Sequence, residues 1–98
     1  MNLNHLNILG LDFKVEYVNG NDNKLNNELC GKINWQEQEI YLDNSFNKQL
    51  ILITLLHEII HALDHGLHFE FRENDIDRLA IGLFQVLKEN KLLVESIL

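Results

Sequence analysis

The stretch KQLILITLLHEIIHALD, Lys48 to Asp64, decides how the rest of the chain is read. It contains no Gly or Pro and is apolar nearly all round, the pattern of a helix buried on most sides. Asp43-Asn44-Ser45 offers N-cap candidates just upstream, and Gly66 stands where a left-handed C-terminal cap would end the helix. Inside this apolar run lies His57-Glu58-Ile59-Ile60-His61, an H-E-x-x-H pattern. Residues four apart share one helix face, so the two imidazoles can reach one ion at the roughly 2.0–2.1 Å that zinc prefers. Glu58, about 100° around the helix, is placed beside such an ion, where it can take a proton from water. Two histidines and a glutamate inside an apolar helix are costly unless paired or metal-bound, and a ligand role supplies the compensation.

On the N-terminal side, Leu11 to Val18 (LDFKVEYV) alternates as a half-buried strand, with Leu11, Phe13, Val15 and Tyr17 on one side and Asp12, Lys14 and Glu16 on the other. Asn19 to Lys24 is an exposed turn-rich loop leading into a short segment around Leu25 to Leu29. Gly31 to Trp35 and Glu39 to Leu42 read as a hairpin across Gln36-Glu37-Gln38, which completes a sheet of about three strands. On the C-terminal side, Ile76, Leu79, Ala80, Leu83, Phe84 and Leu87 follow helical spacing and predict a second helix from about Arg72 to Glu89. Gly82 within it is expected to allow close packing on the first helix, and Lys91 to Leu98 to form a short helix or frayed end. The expected fold is α+β, one domain over residues 1–98, with the sheet packed on the H-E-x-x-H helix and a second C-terminal helix.

Composition bounds the function. Ninety-eight residues make one small domain, which buries only roughly 60–65% of the surface its unfolded chain exposes. The formal charge of −7, with eight basic residues scattered singly, argues against nucleic acid as a partner. The lone Cys30 excludes a disulfide framework and reads as a packing residue. The start lacks a charged leader followed by a long apolar block, and the most apolar stretch, Leu50 to Leu56, is far shorter than a bilayer span. A cytoplasmic protein without a membrane partner is expected.

Catalytic zinc usually has three protein ligands and one open position, so a third ligand is sought downstream. The extended H-E-x-x-H-x-x-G-x-x-H arrangement is out of register, with Asp64 at its glycine position and Leu67 at its last histidine. His65 reads as a helix-end histidine favoured by the dipole. Glu73, with Asp77 one turn later on the same face, suits a carboxylate ligand and its supporting partner. The same acidic run, Glu73, Asn74, Asp75 and Asp77, equally suits a helix N-terminus through the macrodipole.

A front half carrying GKIN and EIYLD, then TLLHEIIHALDHG, then ENDIDRLAIGLFQVLKEN, resembles the small zincin-like metallopeptidases of phages and mobile elements, with the ImmA/IrrE-like family the nearest named group. The resemblance covers roughly residues 31 to 90. It implies His57, His61 and Glu73 as zinc ligands, Glu58 as catalytic base and Asp77 as the acidic residue that hydrogen-bonds a zinc histidine. It further implies a peptide or protein substrate extended along a sheet edge, for which the Glu39 to Leu42 strand is expected. Ile76 and Asp77 replace the small residue and asparagine of the family order, so substrate and regulation do not carry over. Tyr41, His65, His68 and Arg72 are candidates for an oxyanion donor, and Trp35 for hairpin packing. Two other readings stand beside the enzyme. One is a binding module on a zincin scaffold, such as a phage-encoded antagonist of a host protein, and the other is zinc as a staple for a small core.

Overall fold

The computed structural model describes residues 3–28 and 30–98. Four strands, β1 (His5–Ile8), β2 (Leu11–Val18), β3 (Gly31–Asn34) and β4 (Glu39–Asp43), precede three helices, α1 (Lys48–Leu67), α2 (Glu73–Glu89) and α3 (Lys91–Ile97). A 3-10 turn, Asn23–Leu25, lies between β2 and β3. The α+β class therefore holds, with a four-stranded sheet in place of the expected three. β1 is the added strand. Its sequence, HLNI, alternates over only four residues, with Leu6 and Ile8 toward the core, and it is held by antiparallel pairing with β2.

The sheet order is β1-β2-β4-β3. β3 and β4 form the expected antiparallel hairpin, but β4 inserts between β3 and β2, pairing with β2 in parallel. The expectation that Glu39 to Leu42 is an edge is thereby overturned. β4 lies inside the sheet with both its edges paired, and β3 is the edge strand. The insertion follows from burial. Ile40 and Leu42 are the most completely buried residues of the strand, whereas β3 offers only Gly31 and Ile33 to the core.

The period-2 pattern of β2 is realised for Phe13 and Val15, which join Ile40, Leu42, Leu55 and Ala62 in the main core between sheet and α1. Leu11, at the strand's start, is exposed instead. On the other face Val18, Leu25 and Tyr41 form a smaller cluster, and Glu16 accepts from both Lys14 and Lys24. Among the described residues Leu25 anchors the loop after β2; Leu29 lies outside them.

Both ends of α1 differ from expectation. The N-cap is Asn47, whose side chain accepts from the Leu50 N–H at 2.9 Å, while Asp43 instead holds the preceding turn by accepting from the Ser45 N–H and hydroxyl. At the far end the helix runs through Gly66, and His68 adopts the left-handed conformation at φ 60°. Gly66 serves a close approach: a Cβ there would lie 2.6 Å from Leu9 Cδ1 in the β1–β2 turn. α2 packs on α1 through Ile76 and Ala80 against Ile60, Ile53 and Leu56. Gly82 faces open space and makes no contact with α1, correcting its expected role. α1 has the length and composition of a membrane span, but its central turns bury Leu55, Glu58, Ile60 and Ala62 against the sheet and α2.

Gly31 sets how near the edge strand comes to α1. A Cβ at Gly31 would lie 2.7 Å from Thr54 Cγ2 and 3.0 Å from the Tyr41 carbonyl oxygen. Because one of these neighbours is backbone and the other a stiff β-branched side chain, the strand must move to admit a methyl group. Gly31→Ala is expected to lower stability by about 1–3 kcal/mol in urea unfolding; an unchanged midpoint would show that β3 does not rest on α1.

Candidate metal centre

α1 and α2 place four of the sequence-selected side chains at one point. His57 and His61, one turn apart, direct their Nε2 atoms to a common position with 3.1 Å between them. Glu73, the first residue of α2, closes the group: its Oε1 is 2.7 Å from His57 Nε2 and its Oε2 is 3.0 Å from His61 Nε2. Asp77, one turn further along α2, puts Oδ1 3.0 Å from the other ring nitrogen of His57, Nδ1. The acidic first turn of α2 is therefore divided in use. Asp75 accepts from the Arg72 N–H and from Arg78 and serves the helix start, and those contacts hold its carboxyl below the usual range. Glu73 and Asp77 face the histidines.

The donor set fits a cation. A carboxylate only accepts hydrogen bonds, so Asp77 assigns the proton of a neutral His57 to Nδ1 and leaves a lone pair on Nε2. That lone pair faces a carboxylate oxygen of Glu73 and the ring nitrogen of His61. The 2.7 Å contact of that lone pair with Glu73 Oε1 is favourable only with a positive centre, a proton or a metal ion, between them. The ligand atoms of His57, His61 and Glu73 all lie within 4.8 Å of one another and could hold a metal ion. For comparison, ligands on a tetrahedral zinc are about 3.3 Å apart, given bonds of roughly 2.0–2.1 Å.

The group opens on a cleft of about 810 Å3, bounded by β3 on one side and α2 on the other, with α1 as its floor. Glu58 lies in this floor. It is 6% exposed, and burial first, then the negative charges of Glu73 and Glu28, push its carboxyl up to about 8. Among the described residues no hydrogen bond to it is found, and no wholly buried side-chain oxygen lacks a partner, so its carboxyl reaches the cleft. Glu28, Glu58, Glu73 and Asp77 line the cleft, with Lys32 the one Lys or Arg among its lining residues, an excess of acid that a divalent ion would offset.

None of the four residues weighed as oxyanion donors lines the cleft among the described residues. Tyr41 packs on the opposite face of the sheet and donates to Glu39. His65 stacks on Trp35 at 4.1 Å, His68 ends α1, and Arg72 precedes α2, facing Asp75. Trp35 meets Phe13 edge-on, as expected of hairpin packing, and also lines the cleft. Cys30 is partly buried at the cleft margin, and burial raises its thiol. Sequence reading passed over Thr54, Ala80 and Ile81 as cleft residues, since helical spacing marks a face without saying what stands opposite it.

Comparison with protein-family models, curated proteins and solved structures finds no match to this chain.

The Glu58 carboxyl gives a sign for stability. In the metal-free protein its folded value is about 8 against an ordinary 4.5, so the folded state binds the extra proton and stability falls as pH rises from about 4.5 through 8. Glu58→Gln removes that loss. The metal-free variant is expected to match the parent near pH 4.5 and exceed it at pH 8.5 by on the order of 2–4 kcal/mol in chemical denaturation; a parallel pair of curves would contradict the burial of this charge.

Proposed function

We propose that the chain is a zinc-dependent metallopeptidase, with His57, His61 and Glu73 as ligands and Glu58 as the base. The observation that carries this reading is the convergence of two Nε2 atoms and a carboxylate from separate helices beside the buried Glu58. Two imidazoles and one carboxylate suit zinc and leave room for a fourth ligand. Bound there, zinc would supply Lewis acidity that activates water and polarises a carbonyl.

The chain's own residues do the rest. Asp77 accepts from His57 Nδ1, which fixes the ring and raises the donor strength of Nε2. Glu58 takes one proton from water in the cleft as the water oxygen adds to the peptide carbonyl carbon. It then passes that proton to the amide nitrogen as the C–N bond breaks, leaving a carboxylic acid and an amine, and the second water proton moves from the acid to the amine to give carboxylate and ammonium. β3 supports a peptide as the substrate. It is the sheet edge beside the ligand group, and its free edge can pair with an extended backbone. Depth and apolar lining from Ile53, Thr54, Ala80 and Ile81 give such a chain side-chain contacts.

Zinc-loaded protein is expected to hold one zinc per chain by elemental analysis and to cut peptides in an unstructured peptide library read by mass spectrometry. Glu58→Gln should keep the zinc and lose at least about 100-fold in rate. Loss of zinc without loss of cutting in His57→Ala would sink the proposal, and a zinc-loaded parent that cuts nothing would favour a binding module instead. Separately, Asp77→Ala is expected to weaken zinc about 10- to 100-fold in a competition titration with a chromophoric chelator, and an unchanged affinity would remove Asp77 from the site.

A further inference from the structure

The cleft runs on past the ligand group, and its far end differs in character from the end that holds the histidines. Its lining residues pass along α1 from His61 back to Leu50 and along α2 from Glu73 on to Ile81. Glu73 meets the histidines while Ala80 packs with Ile53 and Leu56, so the two helices run in opposite directions and Leu50, Ile53 and Ile81 fall at the same end. On the strand side Gly31 lies against Thr54, and Glu28 stands just before β3. This end is therefore an apolar slot with one carboxylate at its margin.

The β3–β4 ladder shows which groups face the slot. The Asp43 N–H donates to the Cys30 carbonyl at 2.7 Å, which makes Gly31 and Leu42 a non-hydrogen-bonded pair and Lys32 and Tyr41 a hydrogen-bonded one. The N–H and C=O of Gly31 and Ile33 therefore point to the free edge, where an extended chain can pair with them. Lys32 shares the face of Tyr41, on the side of the sheet away from α1, so its ammonium is turned from the slot.

Glu28 is thus left uncompensated. It is exposed, and among the described residues it makes no ion pair. Glu73 faces the histidines and Asp77 holds His57, whereas Glu28 has no such task. The backbone fixes where it stands: its N–H donates to the carbonyl of Leu25, which is 1% exposed, and Asn26 and Asn27 take left-handed φ of 50° and 62° to turn the chain between them.

We infer that this end of the cleft takes the side chain of a lysine or arginine, and that the peptide paired with β3 is a basic one. The methylene stem lies against Ile53 and Ile81 while the cation reaches Glu28. An acidic side chain would instead meet Glu28 as a like charge. Thr54 is roughly 8 Å along α1 from the midpoint of His57 and His61, a span of about two or three extended residues, which sets the distance of the basic residue from the bond that is cut. The inference rests on the peptidase reading for a peptide in the cleft, and a binding assay separates the two.

Unstructured dodecapeptide libraries with a fixed central Arg or a fixed central Glu are titrated onto zinc-loaded Glu58→Gln protein and followed by fluorescence anisotropy. The Arg library is expected to bind at least about fivefold more tightly. Adding Glu28→Gln should bring the two within about twofold, and Glu28→Lys should reverse the order, with circular dichroism confirming that both stay folded. Glu89→Gln, which removes an exposed acid at the end of α2 outside the cleft lining, should leave the preference intact and so separates the site from the net charge of −7. Equal binding of the two libraries, no binding of either, or a preference that survives Glu28→Lys overturns the inference, as does one that Glu89→Gln abolishes. An Arg preference that depends on Glu28, in a protein whose zinc-loaded parent cuts nothing, upholds the basic subsite and fails the peptidase reading instead.

Discussion

The meeting of His57 and His61 with Glu73 is the constraint on which the arrangement of the helices depends. α2 is tied to the body by a small apolar contact, in which Ile76 and Ala80 are its buried residues, and beyond that its hold is polar. Glu73 and Asp77 are largely exposed, and surface ion pairs of that kind contribute little. Two imidazole rings and a carboxylate are aimed at one point, where the 2.7 Å contact between His57 and Glu73 calls for a proton or a metal ion. A cation at that point would join α1 to α2 and couple the position of α2 to the ion, so ligand binding and helix docking become one process. The orientation of the cleft follows, because α2 forms one of its walls.

The opposite wall is set by packing alone. Gly31 lets β3 lie against Thr54 of α1, and Trp35 closes the strand's end by stacking on His65 and meeting Phe13 edge-on. An unpaired strand edge is an aggregation hazard unless something covers or uses it. Here that edge borders the cleft beside the ligand group. Glu58, in the floor between the two walls, is costly to bury as a charge and has no partner among the described residues. Such a group is understandable where an ion or a reacting water stands beside it.

Much of this was legible in the sequence. The alternation of β2, the apolar run of α1, the helical spacing of α2 and the i, i+4 histidines are local patterns, and each has a direct geometric meaning. Glu73 and Asp77 were legible as one helix face, although spacing could not separate a ligand role from helix-start electrostatics; the structure assigns the latter to Asp75. Strand neighbours were not legible. A period-2 pattern states which face of a strand is buried and says nothing of which strand lies beside it, so the insertion of β4 between β2 and β3 was missed. β1 carries an alternation of only four residues, His5 to Ile8, and was passed over. The two glycines were misread for one reason: Gly66 answers a contact with Leu9 far away in sequence, and Gly82 answers none within the chain.

Anomalous diffraction at the zinc edge, from crystals of zinc-loaded protein, tests the central claim most directly because it locates the ion and its ligands together. One peak within about 2.0–2.2 Å of His57 Nε2, His61 Nε2 and a Glu73 carboxylate oxygen is the predicted result. Absence of a peak between the two helices, or a zinc held by the histidines without Glu73, would contradict the account.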